Sequence, residues 1–522
     1  MRKILAAASA TAILAGALAA CGNSAVTDGY GAAGGPSTPG SVQSPGASSA
    51  EPAGPIAWST CTDLERPDGQ APAKPDPSLQ CGKLKVPLDY AKPTGEMLDI
   101  AVIKVRATGP GERLGSLVFN FGGPGASGVD TMARAAKVFD TLRAHYDLVS
   151  FDPRGVERSS GVRCGDNKIM DKFTSMNSLA TTPAEQAEMD RTIKEFADAC
   201  GQTSGRILPY VGTVNTARDM DRLREAVGDR QLNYFGISYG TQLGAVYATQ
   251  FAKNVGRFVL DSPLDPSVGL DKRTLVQTRG FQHAYEAFLK DCVKGPGPCE
   301  IGADTTIANK NVDTFLADLR KKPLQVGARQ VTQGLASTGI SAALYSALTW
   351  PLLEQGLTQG FKGDGRILLT LADSYNGRKP DGSYSTLMSS FPAISCVDTA
   401  ERPTPQELAA VQAEAEKISP LFASQGMGSI CRVWPVPGSD EARKVNATGS
   451  GPIVVVGGTG DPATPYEWAP KLTEKLTTGV LVTYKGEGHG AYLSGDACVK
   501  KAVDNYLVGG KTPAKGTTCP TS

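Results

Sequence analysis

The chain has 522 residues, of which 40% are apolar and 20% charged, a balance that suits a globular protein with a sizeable core. Its formal net charge is +1, so it carries no basic footprint for nucleic acid. The sequence contains no Cys-x-x-Cys and no His-x-x-x-His, and with only 3 histidines a metal site is not expected.

The N-terminus reads as an export signal. Arg2 and Lys3 precede an apolar run over 4–20, and small residues lead to Cys21. The run is short for a membrane span. Leu18-Ala19-Ala20-Cys21 resembles a bacterial lipobox, in which cleavage leaves Cys21 as a lipidated N-terminus. Residues 1–20 are thus the expected signal peptide, and Cys21 an anchor that holds the protein to a membrane without spanning it. Residues 21–55, rich in Gly, Ala, Ser and Pro, are expected to form a tether. The protein is therefore expected outside the cytoplasm, at the cell envelope. Of 11 cysteines, setting Cys21 aside leaves an even number in an exported chain, which favours disulfides. The simplest pairing joins sequential neighbours: Cys61 with Cys81, Cys164 with Cys200, Cys292 with Cys299, Cys396 with Cys431, and Cys498 with Cys519.

Apolar runs at 98–105, 116–121, 146–151, 232–237, 256–261, 452–458 and 479–484 predict strands. Most are continuous rather than alternating, as in parallel strands covered on both faces. Helical patterns lie between them. In TARDMDRLREAVGD, Thr216 is the expected cap and Gly228 the stop. This alternation predicts an α/β fold with a mostly parallel sheet. Strand patterns become scarce between Pro266 and Asn446, where FQHAYEAFLKDC, KNVDTFLADLRKK, ISAALYSALTWPLLEQGL and PQELAAVQAEAEKISPLF look helical. The expected organisation is an α/β core over 56–265, a large helical cap (lid) insertion over 266–446, and the rest of the core over 447–522.

The stretch GISYG places Ser238 after a strand and before a helix. Gly-x-Ser-x-Gly is a cheap pattern in so glycine-rich a chain, but this context is that of a nucleophile elbow, which lifts the hydroxyl above the sheet edge. Serine needs a base to take its proton. His145 precedes a strand, at the wrong end of the sheet, and His283 lies within a helical stretch. His489, in GEGHG after the last strand run, remains. Asp461 follows PIVVVGGTG and is the expected third member, against the plainer reading of a turn aspartate ahead of Pro462. The order Ser238, Asp461, His489 is that of α/β-hydrolases. The expected oxyanion donors are the N–H groups of Gly123, in FNFGGPGASG, and Tyr239. A rival stands beside them. Gly123-Pro-Gly125-Ala-Ser-Gly128, with Asp152 downstream, also matches a dinucleotide fingerprint. Proline in that turn is unusual for a pyrophosphate cradle, and the rival leaves Ser238, Asp461 and His489 without a role.

The motifs FNFGGPGASG, SFDPRGVERSS, FGISYGTQLGAVYATQF, RFVLDSPLDP, AISCVD, GDPATPY and GHG together resemble actinobacterial secreted α/β-hydrolases of the tripeptidyl aminopeptidase type, grouped with the proline iminopeptidases. The resemblance runs from about Trp58 to Cys519. It implies an α/β-hydrolase core with a helical cap, the same triad, no cofactor, and removal of short peptides from free N-termini. One departure is Phe121 ahead of the GGPG motif, where proline iminopeptidases have histidine. An aminopeptidase needs a carboxylate for the substrate ammonium. Asp398 and Glu487 are the candidates, each weighed against a merely structural carboxylate. Expected partners are peptide or protein substrates and, through Cys21, a membrane; a monomer is expected. A carboxylesterase is the alternative reading, and a non-catalytic envelope lipoprotein that keeps the fold as a binding surface is the second.

Overall fold

The computed structural model describes residues 54–64, 76–177 and 179–520. The expected signal peptide, Cys21 and nearly all of the tether lie outside the described residues. No helix among those described is long and apolar enough to cross a membrane.

Each predicted apolar run forms a strand. In chain order the strands are β1 (Ser59–Thr60), β2 (Leu79–Pro87), β3 (Met97–Val105), β4 (Ser116–Asn120), β5 (Asp147–Phe151), β6 (Leu232–Ile237), β7 (Val255–Asp261), β8 (Leu324–Val326), β9 (Arg329–Val331), β10 (Ile453–Gly460), β11 (Gly479–Glu487) and β12 (Thr517–Cys519). Ten of them form one sheet in the order β1-β2-β3-β5-β4-β6-β7-β10-β11-β12. From β5 to β12 every neighbouring pair is parallel; β1, β2 and β3 are antiparallel. Every residue of β4 is buried, as is the Ile453–Gly458 stretch of β10, because helices cover both faces. On one face Phe119 stacks on Phe235 and Phe139 on Tyr492, and the two pairs meet at tilted and edge-on contacts.

Four expectations are corrected. The strand β2 was not foreseen: its Lys83 and Lys85 face solvent while Leu84 and Val86 are buried, so it lacks a continuous apolar run. The helix predicted from Thr216 begins earlier, at Thr213–Ala226 with Gly212 as its cap, and Thr216 lies inside it, its hydroxyl turned back to the Gly212 carbonyl. Between β7 and β10 the chain adds no strand to the large sheet, but the small hairpin of β8 and β9 interrupts the helices there. One stretch predicted as continuous helix, 340–357, breaks between Leu344 and Trp350. The helices Asn167–Thr174 and Pro183–Ser204 are tied to this layer by two ion pairs: Asp171 binds Arg378, and Glu185 binds Arg320.

Among the described residues five disulfides are present, joining Cys61 to Cys81, Cys164 to Cys200, Cys292 to Cys299, Cys396 to Cys431 and Cys498 to Cys519. The first holds the short edge strand β1 to β2, and the last holds β12 to the helix Ala497–Gly509.

A buried ion pair fixes the loops beneath the site. Arg154 and Asp219 have side-chain exposures of 0% and 1%. All of the guanidinium's N–H groups are used, by both Asp219 oxygens and by the carbonyls of Pro87, Leu88 and Tyr210. Arg154 thereby ties the end of β2 and the turn after β5 to the helix Thr213–Ala226. Removing one member of such a pair strands the other charge away from water, at about 3–5 kcal/mol. Asp219→Ala should therefore lower stability by that amount in urea unfolding; a loss below about 1 kcal/mol, the level of a surface pair, would show that the pair holds nothing together.

Candidate active site

Ser238 sits where β6 turns sharply into the helix Tyr239–Gln250, with φ 59° and ψ −125°. A non-glycine residue is strained there and persists only where its surroundings hold it. Its N–H donates to the Asp261 carbonyl at 3.0 Å, and its carbonyl accepts from the N–H and hydroxyl of Thr241. The flanking glycines are required by close approach. A Cβ at Gly236 would lie 2.4 Å from the Gly240 carbonyl oxygen, and one at Gly240 would lie 2.5 Å from the Asn120 carbonyl oxygen.

The strand order puts β4, β6, β7, β10 and β11 side by side, and each delivers a residue at its C-terminal end. His489 Nδ1 lies 2.9 Å from both oxygens of Asp461. Both side chains are fully shielded from solvent. Asp461 Oδ1 also accepts from the N–H groups of Ala463 and Thr464, and Oδ2 from the Thr464 hydroxyl. The turn aspartate and the partner of histidine are thus the same residue in both roles. Sequence reasoning missed Thr464, which also lies 3.2 Å from His489 Nδ1. His489 Nε2 is buried and has no hydrogen-bond partner among the described residues.

Two further residues went unassigned in the sequence. Asp261 ends β7, and its carboxylate accepts from the N–H groups of Ala491 and Tyr492, while the Ser262 hydroxyl accepts from Gly490 N–H. Because the Asp261 carbonyl also takes Ser238 N–H, one dipeptide holds the serine turn and the histidine loop together. Burial pushes the Asp261 carboxyl up to about 6, against the pull of its two backbone donors. The break after Leu344 has a use as well: the Tyr345 carbonyl it frees accepts His489 N–H at 2.8 Å, and the Tyr345 ring meets the imidazole edge-on.

Comparison with known proteins agrees with this arrangement. The family model described as "alpha/beta hydrolase fold" matches residues 115–325, and the one described as "TAP-like protein" matches 418–519. The serine protease Hip1 of Mycobacterium tuberculosis is 35% identical over 484 residues, covering 89% of this chain and 91% of that protein. Carboxylesterase B of the same organism is 36% identical over 502 residues, covering 93% and 94%. Tripeptidyl aminopeptidase of Streptomyces lividans is 31% identical over 453 residues, covering 84% and 83%. The chain belongs to the α/β-hydrolase family. It is a serine hydrolase.

In this α/β-hydrolase a cavity opens above Ser238, between the sheet edge and the helices that follow β7. Gly123, Tyr239, Tyr345 and Thr464 line it near the serine, and His489 stands behind the last two. Gly122 N–H is taken by the Asn120 side chain. Gly123 has φ 102° and faces the cavity, as does Tyr239, whose N–H begins a helix and has no intrahelical acceptor. Asp152 is not among the residues that line the cavity. It is buried and accepts from Ser127 Oγ and Val129 N–H, bracing the start of the helix Gly128–Ala135, with burial pushing its carboxyl up to about 7.

The two candidate ammonium-binding carboxylates part company. Asp398 lines the cavity; it accepts from Thr213 N–H at 2.8 Å and from the Thr213 hydroxyl, which also meets Tyr239 OH. Glu487 is absent from the cavity lining: it packs over Gly460, with His283 and Lys290 nearby. Asp261→Ala should lower kcat by about 10–100-fold with KM little changed, because a small displacement of the histidine loop is costly. Equal kcat in the variant, measured on any substrate the enzyme cleaves, would show that Asp261 does not position the histidine.

Proposed function

We propose that this protein is an exported, lipid-anchored aminopeptidase that releases short peptides, tripeptides among them, from free N-termini through an acyl-enzyme. The observation that carries the reading is the shared anchor at Asp261 and Ser262, which sets the strained Ser238 beside the loop of His489. Ser238 Oγ attacks the scissile carbonyl, and His489 Nε2 takes its proton and returns it to the leaving amine. Asp461 keeps the imidazole in the right tautomer and stabilises its charged form. The N–H groups of Gly123 and Tyr239 stabilise the oxyanion, each worth about 2.7–4 kcal/mol in such a site. Water, activated by His489, then releases the acyl group. The lipid at Cys21 and the tether would hold this body at the outer face of a membrane.

Recognition of the N-terminus is assigned to Asp398, which faces the cavity on neutral hydrogen-bond partners. The name of one relative, tripeptidyl aminopeptidase, supports this preference. The name of another, carboxylesterase B, supports ester cleavage by the same groups.

The test is kinetic. Peptides with a free N-terminus should be cut far faster than the same peptides acetylated there. Burial raises the Asp398 carboxyl to about 6, so it is charged above that pH and neutral below it. Turnover of free-amine peptides should therefore lose a component as pH falls through about 6, and Asp398→Asn should lack that component. Equal cleavage of free and acetylated peptides would remove the aminopeptidase assignment and leave an endopeptidase or esterase.

A further inference from the structure

The cavity above Ser238 is lined by four charged side chains: Asp398, Glu401, Arg273 and Arg443. Three are engaged. Arg443 binds Glu401, Asp440 and the Ser267 carbonyl. Glu401 accepts from Arg443 and from Leu270 N–H. Asp398 accepts from Thr213.

Arg273 differs. It stands in the first turn of the helix Leu270–Lys294, and its Nε is shut off from solvent. Among the described residues its guanidinium makes no hydrogen bond and no ion pair within 4.0 Å, although Asp398, Glu401 and Asp265 are near enough to be felt. Leu264, Val268, Met388 and Met427 are among the other side chains that line the same cavity. A guanidinium carries five donors in a planar fork matched to a carboxylate, and the buried Nε of Arg273 is left without a partner among the described residues. Burial and the neighbouring Arg443 disfavour its charge, and Asp398, Glu401 and Asp265 favour it without bonding to it.

We propose that Arg273 is a specificity residue that binds a carboxylate of the substrate, next to the ammonium site at Asp398. The proposal rests on the reading of this cavity as a peptide-binding site. It makes the preferred substrate a peptide with two charges near the cut: its terminal ammonium and an anion. The anion is either an acidic side chain in the released segment or the free C-terminal carboxylate of a short substrate.

The experiment uses the full-length protein. One arm compares tripeptidyl anilides that carry Glu or Gln at each position in turn; the anilide leaving group is neutral. A second compares short peptides with a free or an amidated C-terminus. A third compares 4-nitrophenyl esters of glutarate and of its monoamide. We expect the charged member to be preferred by about tenfold or more in kcat/KM in one of the first two arms, as for a charge-assisted fork. Arg273→Met should bring that ratio close to one, and Arg273→Lys should keep part of it. The arm in which the effect falls identifies which carboxylate is bound. The ratio compares two substrates in one enzyme, so a general loss of folding or activity does not move it. Labelling of the enzyme by a fluorophosphonate should continue in Arg273→Met. Ratios near one in the wild type in all arms, or ratios unchanged in Arg273→Met, would overturn the proposal. Hydrolysis of the esters but of no peptide would overturn the aminopeptidase reading, while the ester pair would still decide the role of Arg273.

Discussion

The site depends on one dipeptide, Asp261-Ser262, at the end of β7. Its backbone carbonyl takes the N–H of the strained Ser238, and its two side chains take three consecutive N–H groups after His489. The serine turn and the histidine loop belong to chain segments separated by the whole layer of helices between β7 and β10. Among the described residues no hydrogen bond joins the two directly. The strand between them does, because parallel order sets β6, β7 and β10 edge to edge. Ser262 itself has φ 55°, so this junction also holds strain, and it lies beneath the chemistry rather than in it.

A second support runs through the roof. Tyr345 holds His489 by its carbonyl and its ring, and Thr213 couples Asp398 to Tyr239. Thr213 begins the helix that Arg154 fixes through Asp219. In the proposed reading, substrate recognition at Asp398 and oxyanion stabilisation at Tyr239 therefore share one element. A change in the roof at Asp398 would be felt at the first turn of the nucleophile helix, which is how binding of a remote part of the substrate can affect the reacting carbonyl.

The sequence made the local parts of this arrangement legible. GISYG announces itself because two close backbone contacts demand glycine at both flanks, and Asp461 because Asp-Pro-Ala-Thr builds a turn around its carboxylate. The continuous apolar runs follow from burial on two faces. What was not legible is what only the assembled sheet creates. Asp261 and Ser262 stood in a quoted motif, yet nothing in RFVLDSPLDP says which loop their side chains would reach. Tyr345 lies inside a stretch whose apolar pattern continues through it; the helix ends there and the Tyr345 carbonyl accepts His489 N–H, a contact more than a hundred residues away in sequence. Strand β2 escaped notice because one face is wet and its lysines interrupt the run. Glu487 and Asp398 looked equivalent as carboxylates near motifs, and only the fold decides that one reaches the cavity.

The central claim is that this geometry activates Ser238. The most direct measurement is reaction of the native protein with a fluorophosphonate, followed by peptide mapping of the adduct. The account predicts a single adduct on the peptide that carries Ser238, formed in the folded protein and lost on unfolding. An adduct on a different serine, or no adduct in a preparation that hydrolyses substrate, would contradict it.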